Sequence, residues 1–193
     1  MANYRCFIAV DFNQQILAEI ANIQNSINKT VYQSIRWVKA NNLHLTIKFF
    51  GDTASENIPK IANSMDCISS TMIPFPLRLS GMGVFPGWKN PRILWLGIEK
   101  PEKVQFLAEE IEGDMGKLGI AREKRPFSPH LTIARINDNF PYQKIELLKI
   151  RCNEEKFNFP DNVVSKINLY RSDLQPHGPI YHLLHTSLFC NLK

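Results

Sequence analysis

Two histidines carry the clearest chemical signal in the chain. Asn42-Leu43-His44-Leu45-Thr46-Ile47-Lys48-Phe49 and Ser128-Pro129-His130-Leu131-Thr132-Ile133-Ala134-Arg135 share a His-Leu-Thr-Ile core, with the histidines 86 residues apart. In an extended strand residues i and i+2 face the same way. His44 therefore projects with Thr46, and His130 with Thr132, while Leu45, Ile47, Leu131 and Ile133 turn to the opposite face. Two imidazoles across one site suit acid–base catalysis, since one can accept a proton while the other donates one near neutral pH. Threonine hydroxyls beside them can donate hydrogen bonds to the non-bridging oxygens of a phosphate. A lone His-x-Thr arises by chance. Two copies are harder to dismiss, because core packing has no need of an imidazole there and an unpaired buried one is costly.

The elements around the motifs repeat as well. Arg5-Cys6-Phe7-Ile8-Ala9-Val10 begins 39 residues before His44, and Arg92-Ile93-Leu94-Trp95-Leu96-Gly97 begins 38 before His130. Both read as strands rich in apolar and aromatic residues. Each is followed by helical spacing of apolar residues. The first such run covers 14–27 (Ile16, Leu17, Ile20, Ile23, Ile27) and the second covers 103–118 (Val104, Leu107, Ile111, Met115, Leu118), where Gly119 supplies a stop. A second helix after each motif is expected over 57–69 and 142–152, then a strand over 77–84 and 163–170, and a last strand over 180–189. The unit is β-α-β-α-β, present twice, at about 4–90 and 91–190. This predicts an α+β, bilobal single domain spanning 1–193. Its two pseudo-two-fold-related units would turn their sheets toward a central cleft. A two-fold relation would bring both His-Thr pairs to that cleft.

Bulk properties narrow the class. At 193 residues the chain buries roughly 70% of its extended surface without a disulfide or metal staple. With 44% hydrophobic and 21% charged residues it is ordinary globular protein. No run reaches the ~18 apolar residues of a membrane-spanning helix, and the amino terminus has no secretory signal pattern, so a cytoplasmic location is expected. Cys6, Cys67, Cys152 and Cys190 lack zinc spacing and are expected to be core thiols. The net charge of +5 is mild and favours an anionic ligand.

With both motifs and their flanks in view, the chain resembles the bacterial and archaeal RNA 2′,3′-cyclic phosphodiesterases, formerly named 2′-5′ RNA ligases, of the two-histidine (2H) phosphoesterase superfamily. The likeness runs through Arg5–Asp11, Ile35-Arg36-Trp37-Val38, Asn42–Gly51, Gly83-Val84-Phe85-Pro86, Pro91–Gly97, Arg125–Arg135 and Gly178-Pro179-Ile180-Tyr181. It implies hydrolysis of a terminal 2′,3′-cyclic phosphate to a 2′-phosphate, with no metal and no cofactor. The partners it implies are RNA 3′ ends bearing that phosphate, or cyclic nucleotides. It also implies His44 as the acid that protonates the leaving 3′-oxygen, His130 as the base that activates water, and Thr46 and Thr132 as phosphate ligands. Arg135 matches the arginine of the family's His-x-Thr-x-x-Arg pattern, where a guanidinium would stabilise transition-state charge. Strand parity disagrees, because an offset of five puts Arg135 on the face opposite His130. Only a strand end, a bulge or the length of the side chain would bring it back.

Phe49 has the same offset in the first motif and is a candidate base-stacking platform, or a core residue. By parity Lys48 falls on the face of His44. Arg122, Lys124 and Arg125 precede the second motif as an RNA path or a solvated loop. His177, His182 and His185 carry no matching motif, and parity puts His182 and His185 on opposite faces. Two other functions remain open on sequence alone: 2′-5′ RNA ligation at the same site, and a nucleotide-binding module without turnover. A monomer is the default expectation.

Overall fold

The computed structural model describes residues 2–31, 35–154 and 159–190. Strand β1 (Asn3–Asp11) leads into helix α1 (Gln14–Val31), which Asn13 caps by accepting the Ile16 N–H on its side-chain oxygen at 3.0 Å. The apolar stripe of α1 runs on past the expected end, through Ile16, Ile20, Ile23 and Ile27 to Val31, all buried. A short strand the sequence reading did not contain, β2 (Ile35–Trp37), precedes β3 (His44–Ala54). Then come α2 (Ile58–Thr71), with Pro59 in its first turn, and β4 (Phe75–Phe85).

The second half repeats the order. It comprises β5 (Ile93–Glu99), α3 (Glu102–Lys117), β6 (Leu131–Ile136), α4 (Tyr142–Glu154), β7 (Asn162–Val164), β8 (Lys166–Gln175) and β9 (Gly178–Leu188). Helix α3 ends as its sequence predicts: Gly119 takes φ +78°, and the Ile120 N–H folds back to the Met115 carbonyl at 3.0 Å.

The strands form one antiparallel path, β7-β4-β5-β6-β3-β1-β8-β9, with β2 pairing β6. This is the expected α+β architecture in two related units, and the pairing adds a detail. The third strand of each unit lies in the other unit's group: β4 pairs with β5, and β8 pairs with β1. The two groups meet at one residue pair, Leu45 with Leu131. Helices cover one face, with α1 packed on α4 and α2 on α3. Under them lies the core, including Ile8, Val10, Leu45, Leu94, Leu96, Leu131 and Ile133. Among the described residues no helix is long and apolar enough to cross a membrane. The thiols divide, contrary to expectation: Cys6 and Cys152 are buried, whereas Cys67 and Cys190 are exposed. Cys67 lies on α2 outside its buried stripe of Ile61, Met65 and Ile68, and Cys190 follows the end of β9.

Candidate active site

An antiparallel residue pair has a local two-fold axis. Where Leu45 faces Leu131, that axis exchanges His44 with His130 and Thr46 with Thr132. Both leucines are fully buried on the helix side, so all four polar side chains stand on the other face, half-buried around the junction. Among the described residues, the sequence-predicted quartet is thus brought together at the single ladder pair through which β3 joins β6.

Beyond each threonine the strand breaks its alternation. Ala9 pairs with Thr46 but Ile8 pairs with Lys48, leaving Ile47 as an extra residue. Trp95 pairs with Thr132 but Leu94 pairs with Ala134, leaving Ile133 extra. The same bulge therefore occupies the same place in both motifs, and each shows two consecutive buried residues there. Its consequence is a change of parity. Phe49, paired with Phe7, and Arg135, paired with Ile93, return to the face of the histidines, and both are exposed. The parity objection to Arg135 is resolved by the bulge. The same shift overturns the placement of Lys48 on the His44 face. Lys48 points under the sheet instead, where its ammonium meets Glu112 of α3 at 2.7 Å and the Ala121 carbonyl at 3.3 Å. A further bulge in β9, at Leu184, places His182 and His185 on one face rather than two. Each meets a different carboxylate, Asp173 at 3.1 Å and Asp66 at 2.8 Å.

The histidines are held alike. The His44 Nδ1–H donates to the Asn42 carbonyl at 2.8 Å, and the His130 Nδ1–H donates to the Ser128 carbonyl at 2.7 Å. A carbonyl can only accept, so each Nδ1 carries its hydrogen and each neutral ring keeps its lone pair on Nε2. Their surroundings differ. His44 stacks on Phe7 at 4.7 Å and meets the edge of Tyr181 at 5.2 Å, whereas His130 meets the edge of Phe85 at 5.0 Å. Burial pushes the His44 imidazole below its ordinary value. The hydrogen bond to Asn42 and the charge of Asp11 oppose this without cancelling it.

Asp11 lies directly across from His44 in the β1–β3 ladder. Its carboxylate accepts from the Tyr170 hydroxyl at 2.8 Å and from the Asn168 amide at 2.7 Å, and Thr186 donates to the Asn168 oxygen at 2.7 Å. Burial, and then this bond and the Asp11 charge, push the Tyr170 phenol far up. Tyr170 therefore stays a donor. Burial also raises the Tyr181 phenol, and the Arg135 guanidinium opposes that rise.

Phe7, Phe85 and Tyr181 touch the histidines, Asp11 lies across from His44 and Tyr170 bonds to Asp11; the motifs alone do not mark these five. Alternation in β1 marks Asp11 and Phe7 as sharing a face with Ala9, and so with Thr46 once the register is known. Arg122, Lys124 and Arg125 lie in the exposed segment before the second motif, where Arg125 pairs with Glu123. Among the described residues no group of three or more His, Cys, Asp or Glu side chains is placed to hold a metal ion.

Comparison with known proteins finds the same duplication in the chain as a whole. The model of the LigT like phosphoesterase family matches the chain twice, over 10–95 and 96–181. An RNA 2′,3′-cyclic phosphodiesterase of Methanothermobacter thermautotrophicus is 32% identical over 177 residues, 92% of this chain and 94% of that protein. One of Aquifex aeolicus is 34% identical over 181 residues, 92% of this chain and 93% of that one. Among solved structures, TT0787 of Thermus thermophilus superposes with a TM-score of 0.76 at 25% identity, covering 96% of this chain and 97% of that chain. E. coli LigT complexed with 3′-AMP shares the fold, with a TM-score of 0.72 at 23% identity, over 98% of this chain and all of that one.

Proposed function

The chain belongs to the LigT-like phosphoesterase family, and we propose that it hydrolyses the terminal 2′,3′-cyclic phosphate of RNA to a 2′-phosphate by acid–base catalysis without a metal. The observation that carries this reading is the pair of histidines exchanged by the Leu45–Leu131 axis, each with Nδ1 held by a carbonyl, so that Nε2 is the nitrogen that exchanges protons, and each with a threonine beside it. In-line displacement at phosphorus puts the nucleophile and the leaving group on opposite sides. An acid and a base on opposite sides of a two-fold axis match that requirement. His130 takes a proton from water as it attacks phosphorus, the bond to the 3′-oxygen breaks, and His44 delivers a proton to that oxygen. Thr46 and Thr132 donate to the non-bridging oxygens, and Arg135 balances the charge that grows on them. Phe49, exposed beside Phe7 at 5.8 Å, offers its ring to the terminal base.

With its proton affinity lowered, His44 is mostly neutral in the free protein at pH 7, yet an acid must carry a proton. The bound substrate supplies the missing stabilisation: a cyclic phosphodiester bears one negative charge, and an anion beside an imidazole raises its pKa. Substrate binding and protonation of His44 are therefore coupled. The first experiment incubates the protein, in chelator, with a short RNA ending in a 2′,3′-cyclic phosphate and resolves the products. A 2′-phosphate end is expected. A 3′-phosphate end would reverse which oxygen leaves, and activity that appears only when a divalent metal is restored would overturn the metal-free chemistry.

A further inference from the structure

Arg36 sits directly opposite Arg135 in the β2–β6 ladder. Its neighbours Ile35 and Trp37 turn under the sheet, where Ile35 is buried and the Trp37 indole N–H donates to Asn28 of α1 at 3.0 Å. Arg36 must then stand on the same face as Arg135, the face of the histidines. Two independent lines, the alternation of β2 and the bulge at Ile133, give the same answer. Both arginines are exposed. The carboxylates that form ion pairs among the described residues take other cations: Lys48, Arg78, Arg92, Lys117, Arg125, Arg151, Arg171, His182 and His185. Like charges directly opposite in an antiparallel pair repel. Two adjacent planar guanidiniums without a carboxylate form a site that an anion completes, and phosphate matches their fork geometry.

Arg135 stands on the face of the histidines, three residues beyond Thr132 on the same strand. Arg36, held on the neighbouring strand, extends the row of phosphate ligands beyond it. We propose that Arg36 binds the phosphodiester on the 5′ side of the reacting cyclic phosphate, so that the preferred substrate is an oligonucleotide end rather than a free cyclic nucleotide. The proposal rests on the hydrolase reading above and adds a second phosphate subsite to it. A nucleoside 2′,3′-cyclic phosphate has no phosphate for Arg36. A dinucleotide ending in the same group has one.

The test compares kcat/KM for those two substrates in the unaltered protein, in Arg36→Gln and in Arg36→Lys. The unaltered protein should prefer the dinucleotide. Arg36→Gln should cut that preference about tenfold, and Arg36→Lys should restore part of it. The salt dependence of kcat/KM on the dinucleotide should weaken by about one unit of log–log slope in Arg36→Gln. A preference that is absent in the unaltered protein, or that does not move in Arg36→Gln, overturns the second subsite while leaving hydrolysis standing. Failure of the unaltered protein to open either substrate overturns the hydrolase reading itself, and the subsite with it.

Discussion

His44 and His130 occupy equivalent places yet face different surroundings, and the difference has a measurable consequence. Burial between Phe7 and Tyr181 lowers the proton affinity of His44 in the free protein, against the pull of Asp11. If His44 is the acid, activity needs its protonated form and falls as pH rises through its pKa. In kcat/KM, which reports the free protein, that basic limb should lie below 6.5, the ordinary histidine value. In kcat, which reports the complex, the limb should move to higher pH, because the bound phosphate restores the proton. Rate profiles from pH 4.5 to 9 decide this, and coincident limbs would remove the coupling. Substituting either histidine by alanine should lower kcat by about 10²–10⁴ while binding of an RNA ending in a 2′-phosphate persists. Tyr170→Phe removes one donor from Asp11, leaving its charge less shared and a better partner for an imidazolium. Its basic limb in kcat/KM should move upward.

Single residues that depart from strand alternation explain both what the sequence disclosed and what it withheld. His44, Thr46, His130 and Thr132 are legible because each pair lies before a bulge, where period-two reasoning holds. Arg135, Phe49 and Lys48 lie after one, and there the same reasoning gives the wrong face. Nothing local in Thr-Ile-Lys or Thr-Ile-Ala announces an extra residue. The bulge exists because the partner strands β1 and β5 offer one fewer residue, which is a tertiary fact. The helices were legible because their apolar spacing and stops are local, as at Asn13 and Gly119. Strand β2 was not, since three residues are too few for a period. Lys48 makes the displaced face testable. Its ammonium is buried against Glu112, and the carboxylate is about a quarter exposed. Lys48→Met should leave kcat/KM within about twofold. It should destabilise the fold by about 1–3 kcal/mol, read by urea unfolding, because Glu112 and the Ala121 carbonyl lose their partner. A large loss of activity at unchanged stability would return Lys48 to the site.

For the whole molecule, the exchange of third strands decides what the repeat means. The chain contains two similar halves, and each matches the family model separately. Yet β4 of the first half completes the strand group of the second, and β8 and β9 of the second complete that of the first. Each half alone leaves β1 or β5 with an unpaired edge and its apolar face short of partners, a condition that favours aggregation over folding. Two histidines brought together at one residue pair gain from this arrangement, because neither strand group can separate from the other without breaking β4–β5 or β1–β8 pairing. The prediction is a cut at the exposed Lys89–Asn90 step, in the turn between β4 and β5. Residues 1–89 and 90–193 expressed apart should show no cooperative thermal transition and no turnover, whereas the two together should reassemble and recover hydrolysis. A cooperative melt from either fragment alone would mean that the units fold independently and that the exchange follows folding rather than enabling it.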